Sequence, residues 1–110
     1  MRDKKLRVCL LEELKKKQVV GFPVEAGKRG ALVWTDKGAL AVEDRCSHDD
    51  GELTGGTVDV QTRQIECPRH GARFDLITGK ALCMPAVTPV AVYPVEVQNG
   101  EIWVTVPQEP

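Results

Sequence analysis

An all-β protein is what this chain predicts, on three observations. Ten glycines and seven prolines among 110 residues cut it into short pieces. The apolar residues between those breaks run or alternate over a handful of positions, and no long stretch follows the 3.6-residue period of an amphipathic helix. Taken in order, Leu6 to Leu10 is a short apolar-leaning strand and Leu11 to Lys17 a single helical turn. Gln18 to Val24, Ala31 to Thr35 and Ala39 to Glu43 read as strands, broken by turns at Ala26-Gly27-Lys28-Arg29-Gly30 and Asp36-Lys37-Gly38. The clearest element is a C-terminal hairpin. Asn99-Gly100 stands between Tyr93 to Gln98 and Glu101 to Val106, and an Asn-Gly pair flanked by alternating apolar residues suits a tight two-residue turn. Val95 and Val97 alternate on one arm, and Ile102, Val104 and Val106 on the other.

Length sets the scale. A chain of 110 residues supports one domain with a modest apolar core, so chemistry on a substrate is expected to take place in a partner. The net charge of -1 gives no whole-molecule attraction to nucleic acid or an anionic membrane. Lys15-Lys16-Lys17 is expected to be a solvated helix end, and Trp34 and Trp103 are expected to pack in the sheets. No segment approaches the roughly 18 apolar residues of a membrane helix, so a soluble, cytoplasmic protein is expected.

The chemistry lies in two short motifs, Cys46-Ser47-His48 and Cys67-Pro68-Arg69-His70, with eighteen residues between them and a glycine close behind each, Gly51 and Gly71. Each motif offers one soft sulfur donor and one borderline nitrogen donor. Two Cys and two His also make a common structural zinc set, but zinc modules usually place two to four residues between paired ligands, whereas Ser47 alone separates Cys46 from His48. In an extended segment those two α-carbons lie roughly 6.6 Å apart with both side chains on one face, which is awkward for one small tetrahedral ion. The spacing is easier when the two side chains reach different metals, as in a two-iron cluster. A disulfide framework fits less well, because it leaves both histidines without a role and nothing at the N-terminus looks like a secretory signal.

Here the sequence resembles the Rieske family, whose pattern is Cys-x-His, a spacer, then Cys-x-x-His. The match runs over about residues 44 to 85. It includes Cys67-Pro68-Arg69-His70-Gly71-Ala72-Arg73-Phe74-Asp75, then Thr78-Gly79-Lys80, with Pro85 where the family places a proline-bearing loop over the cluster. The resemblance implies one [2Fe-2S] cluster per chain, with Cys46 and Cys67 on a buried iron and His48 and His70 on an outer iron near the surface. It also implies a single domain over residues 1 to 110: an antiparallel β-sandwich or barrel base with a cluster-binding subdomain inserted at about 44 to 85. Cys9 and Cys83 stand outside the motif. Cys9 reads as a small buried hydrophobe in a strand, and Cys83 lies near the proline loop.

Two thiolates and two neutral imidazoles leave an oxidised two-iron cluster formally uncharged, where four thiolates would leave it doubly negative. An electron is therefore added more easily, and a ring proton on a histidine bound to ferric iron is acidified. High-potential members of the family add a disulfide between the two loops and hydroxyl donors from Ser and Tyr. In this chain the residue after His48 is Asp49, Arg69 stands where the extra cysteine would precede His70, and Ala72 and Phe74 occupy the hydroxyl positions. Without those donors the potential should fall toward the low end, roughly -150 mV.

The resemblance thus implies a monomeric electron-transfer protein without catalytic residues. It would take single electrons from a flavin-dependent reductase and pass them to a terminal oxygenase, docking by the face that exposes His48 and His70. Asp49, Asp50, Arg69 and Arg73 would then tune recognition, or else serve as solvated loop charges. The alternative is a bound small subunit of an oxidoreductase complex, such as a nitrite reductase. A cluster-bearing regulator is disfavoured, since no DNA-binding or effector segment accompanies the motif.

Overall fold

The computed structural model describes residues 2–24, 27–45, 52–68, 71–83 and 88–108. Among them the elements run β1 (Arg2–Leu10), α1 (Leu11–Lys17), β2 (Val19–Pro23), β3 (Arg29–Thr35), β4 (Gly38–Glu43), β5 (Thr57–Asp59), β6 (Gln64–Glu66), β7 (Arg73–Asp75), β8 (Ala81–Cys83), β9 (Val92–Tyr93), β10 (Val95–Gln98) and β11 (Glu101–Gln108). They form three antiparallel sheets, in the orders β1-β11-β10, β2-β3-β4-β9 and β5-β6-β7-β8. The first two make the base. The third is built from chain lying wholly between β4 and β9, and is here called the cluster sheet.

The middle sheet is the shared wall. Leu32, Ala41 and Tyr93 pack with Ile102, Val104, Val106, Phe22 and Leu14 in one buried cluster toward the first sheet. Ala31, Val33 and Val42 pack on the opposite side with Ile65, Phe74 and Leu76 of the cluster-sheet region. Successive residues of a strand face opposite ways, so a strand with a layer on each side is apolar without alternation. Gly30, Ala31, Leu32 and Val33 are accordingly all buried in β3.

Several boundaries move from those the sequence suggests. β1 begins at Arg2 rather than Leu6, because the long β11 pairs with it from Leu10↔Glu101 to Arg2↔Gln108, with an irregularity between Arg7 and Cys9. Its first half is charged and carries no apolar signal. Arg29 and Gly30 belong to β3 and not to the preceding turn. Asn99 (φ 53°) and Gly100 (φ 77°) make the hairpin turn, with Gln98↔Glu101 and Val97↔Ile102 in register. Tyr93, however, leaves that hairpin: it pairs with Ala41 in the middle sheet, and Pro94 marks the crossing between sheets. Helix α1 ends at Gln18 in a left-handed conformation (φ 68°), whose N–H donates to Leu14 O at 2.7 Å. It buries Leu14 completely and leaves Lys15, Lys16 and Lys17 exposed, with the Lys15 ammonium 5.2 Å from the centre of the half-buried Trp34 ring. Trp103 is likewise half-buried.

Candidate metal centre

Of the four sequence-identified ligands, Cys67 falls among the described residues. Cys46, His48 and His70 lie outside them, as do Asp49, Asp50, Gly51, Arg69 and Pro85. What can be built is the frame from which the ligand segments spring.

The first segment leaves the end of β4. Asp44 turns inward there with its side chain 0% exposed. Its Oδ1 accepts two backbone donors from beyond the segment, Leu53 N–H at 2.6 Å and Thr54 N–H at 2.9 Å. The second segment follows β6. Cys67 is buried, its N–H donates to Ala72 O at 2.7 Å, and its carbonyl accepts from Gly71 N–H at 3.1 Å, so the chain from 67 to 72 closes on itself. That closure needs a left-handed residue, and Gly71 supplies it at φ 78°. On the third side, Val90 N–H donates to Gly79 O at 2.8 Å, which ties the chain together across residues 84–87. Leu53, Cys67, Ala72 and Val90, close to the points where these segments leave or re-enter, all belong to one buried cluster.

The donor chemistry fits iron. Cys67 is a free, buried thiol set among apolar side chains at the start of a closed turn, and its sulfur is a soft donor of the kind that iron-sulfur clusters take. Among the described residues no three His, Cys, Asp or Glu side chains gather as a separate metal site. The other described cysteines stand apart. Cys9 is a free thiol in the core on the far side of the middle sheet, and burial pushes its pKa up. Cys83 is exposed, with Sγ 3.4 Å from Gly71 O.

Ala72 and Phe74, where the resemblance expects hydroxyl donors in high-potential members, are both completely buried apolar groups in the packed interior. Arg73, between them, is exposed. Its Nε donates to Glu66 Oε1 at 2.9 Å across the β6–β7 pair, and that bond holds the guanidinium above its usual pKa. Arg73 is therefore committed to a neighbour on its own sheet.

Reasoning from the motifs missed the aspartates. Asp59 accepts from Gln61 and Thr62 N–H, both at 3.1 Å, and Asp75 accepts from Ile77 N–H at 2.8 Å and Thr78 N–H at 3.0 Å. In both, one carboxylate oxygen takes two backbone donors at a turn, whereas the two donors to Asp44 Oδ1 lie nine and ten residues along the chain. The Thr62 amide holds the Asp59 carboxyl below the usual carboxylate range. An Asp next to a turn is the signal that could have found them.

A family model for the Rieske [2Fe-2S] domain matches residues 4–94. A 3-phenylpropionate/cinnamic acid dioxygenase ferredoxin subunit of Photorhabdus laumondii is 42% identical over 104 residues, spanning 94% of this chain and 96% of that protein. The ferredoxin of carbazole 1,9a-dioxygenase from Nocardioides aromaticivorans IC177 superposes with a TM-score of 0.85 at 35% identity, over 92% of this chain and 96% of that one. A chain from a complex of reduced oxygenase and oxidised ferredoxin in carbazole 1,9a-dioxygenase superposes at 0.83 with 31% identity, over 91% of each chain.

Proposed function

This chain belongs to the Rieske [2Fe-2S] domain family, and on that premise we propose that Cys46 and Cys67 hold the inner iron of its cluster while His48 and His70 hold the outer one. It is the electron-carrying ferredoxin component of a dioxygenase system rather than the enzyme that transforms the substrate. The cluster supplies a site that takes up and returns one electron. The chain's own residues set the conditions. The buried Cys67 thiol, in the closed turn that Gly71 permits, supports its place in the ligand set. Leu53, Ala72 and Phe74 keep water from the sulfur side, and the absence of hydroxyls at Ala72 and Phe74 supports a low potential.

The proposed donor is a flavin-dependent reductase and the proposed acceptor a terminal oxygenase, each met transiently by the face that carries His48 and His70. Small interfaces suit such encounters. The carrier is taken as a cytoplasmic monomer, one domain with the cluster segment inserted at about 44 to 85, and without a nucleic-acid or membrane partner. Among the described residues no helix is long and apolar enough to cross a membrane.

Stopped-flow mixing of the chemically reduced protein with a ring-hydroxylating terminal oxygenase tests this. Second-order oxidation that slows as salt rises is expected of a transient carrier. Purification only as a stable complex, with no transfer to added oxygenase, would favour the small-subunit alternative.

A further inference from the structure

Asp44 sits two residues ahead of Cys46, and its carboxylate is divided in an unusual way. Oδ1 takes both Leu53 and Thr54 N–H, at 2.6 and 2.9 Å, and so joins the chain that leaves at Arg45 to the chain that returns at Glu52. Oδ2 is buried and has no hydrogen-bond partner. The Arg29 Nε stands off at 3.7 Å, and it also lies 3.9 Å from Glu52 Oε1. Gly21 of β2 leaves the space for this arrangement: a β-carbon there would come within 2.9 Å of Arg29 Nη2 and 3.2 Å of Thr54 Cγ2.

A neutral acceptor such as an asparagine carbonyl could take the same two donors. Burying a charged oxygen with no direct hydrogen bond has a desolvation cost that a guanidinium at ion-pair distance offsets only in part. What the charge adds is a pair of charge-assisted bonds, roughly twice as strong as neutral ones. It also sets a carboxylate two residues before Cys46 in the chain.

We propose that Asp44 is a positioning residue: its buried carboxylate clamps the two ends of the segment bearing Cys46 and His48, which keeps the cluster in place and disfavours the added electron. The inference rests on the assignment of Cys46 and His48 as ligands. Leu53, which the clamp anchors, packs in the same cluster as Cys67. The clamp thereby ties the described residues on both sides of the first ligand segment to the core that holds Cys67.

The test uses the full-length, cluster-loaded protein as wild type, Asp44→Asn and Asp44→Ala, with Cys46→Ser as a control. Two quantities are read under anaerobic conditions: the rate of iron release to a ferrous chelator, and the midpoint potential by voltammetry. Asp44→Ala leaves two inward amides without an acceptor and is expected to release iron about tenfold faster than wild type or more. Asp44→Asn keeps an acceptor but loses the charge, so its release rate should fall between the two and its midpoint should lie above wild type. A group that served only local folding would not move the midpoint. If Asp44→Ala does not fold, Asp44→Asn alone decides, and wild-type release and midpoint in that variant overturn the proposal. Loss of the cluster in Cys46→Ser with unaltered Asp44 variants would remove this inference alone. A Cys46→Ser protein that keeps a normal cluster would instead remove the ligand assignment beneath it.

Discussion

In the base, β1 and β11 pair from Leu10↔Glu101 to Arg2↔Gln108, and the middle sheet contributes apolar residues to a packed layer on each side. In the cluster sheet the strands are three residues long, and their turns close on side-chain carboxylates: Asp59 between β5 and β6, and Asp75 between β7 and β8. The base has a buried apolar core of its own. The cluster sheet buries Ile65 and Phe74 against the shared wall, but strands of that length have little ladder to hold them. It is expected to depend on whatever joins its loops from outside, which on the proposed ligand assignment is the cluster.

The sharpest way to break the comparison is to remove a ligand. Cys46→Ser or Cys67→Ser should abolish the cluster, and replacement of either His48 or His70 should remove the Rieske signal even where some iron remains. In such proteins the backbone amides of Ile65 and Phe74 should lose hydrogen-exchange protection while those of Leu32 and Val104 keep it. Equal loss in both regions would mean that the base leans on the metal too.

Truncating the base core gives the converse. Ile102 is completely buried between the first and middle sheets. Ile102→Ala should lower unfolding stability by about 2–5 kcal/mol in a denaturant titration while leaving the spectrum of the folded, loaded protein unchanged. An altered cluster signal in the folded variant would show that the shared wall transmits strain between layers.

A smaller effect concerns the potential. Hydroxyls restored at Ala72 or Phe74 would stabilise the more negative reduced state, so Ala72→Ser, Phe74→Tyr and the double variant should have raised midpoints. The ceiling per bond is about 65 mV, from a charge-assisted bond of about 1.5 kcal/mol. Both positions are buried, so an added hydroxyl that fails to reach the cluster would cost stability without moving the midpoint. An unchanged midpoint in a well-folded double variant would assign the low value to burial or neighbouring charge.

Smallest of all should be the two remaining cysteines. Cys83→Ser lies at the exposed end of β8 and should keep both cluster and stability. Cys9→Ser should keep the cluster and lose a modest amount of stability through its buried site in the base, as read by thermal unfolding. Iron loss from Cys83→Ser would show that this thiol belongs to the site.

The two regions also differ in how much of them the sequence made visible. Asn99-Gly100 announces its hairpin because the turn itself demands φ above zero at both positions, and Ile102, Val104 and Val106 mark the buried face by alternation. β3 was legible as an apolar run, though not the reason for it, since a wall between two layers looks the same in sequence as any buried strand. The three-residue strands of the cluster sheet carry no period to detect. Tyr93 was misplaced because its alternation continues that of β10, while Pro94 separates the two in space. For the site, the proposed ligands came from a family resemblance carried by two motifs, whose spacing is covalent and survives any fold. Asp59 and the turn-closing role of Asp75 went unnoticed because an aspartate beside a turn looks alike whether it is solvated or closing the turn, and Asp44 because its donors, Leu53 and Thr54, lie nine and ten residues away.

The most direct test of the central claim, mixed ligation by these four residues, exploits the chain's having two histidines in all. Protein grown with 15N-labelled histidine, reduced and frozen, should contain two irons and two acid-labile sulfides per chain and show a Rieske-type electron paramagnetic resonance signal. Pulsed measurements on that signal should reveal two distinct couplings to ligated 15N, both lost when His48 and His70 are replaced together. One zinc without labile sulfide, or a two-iron signal with no histidine coupling, would contradict the account.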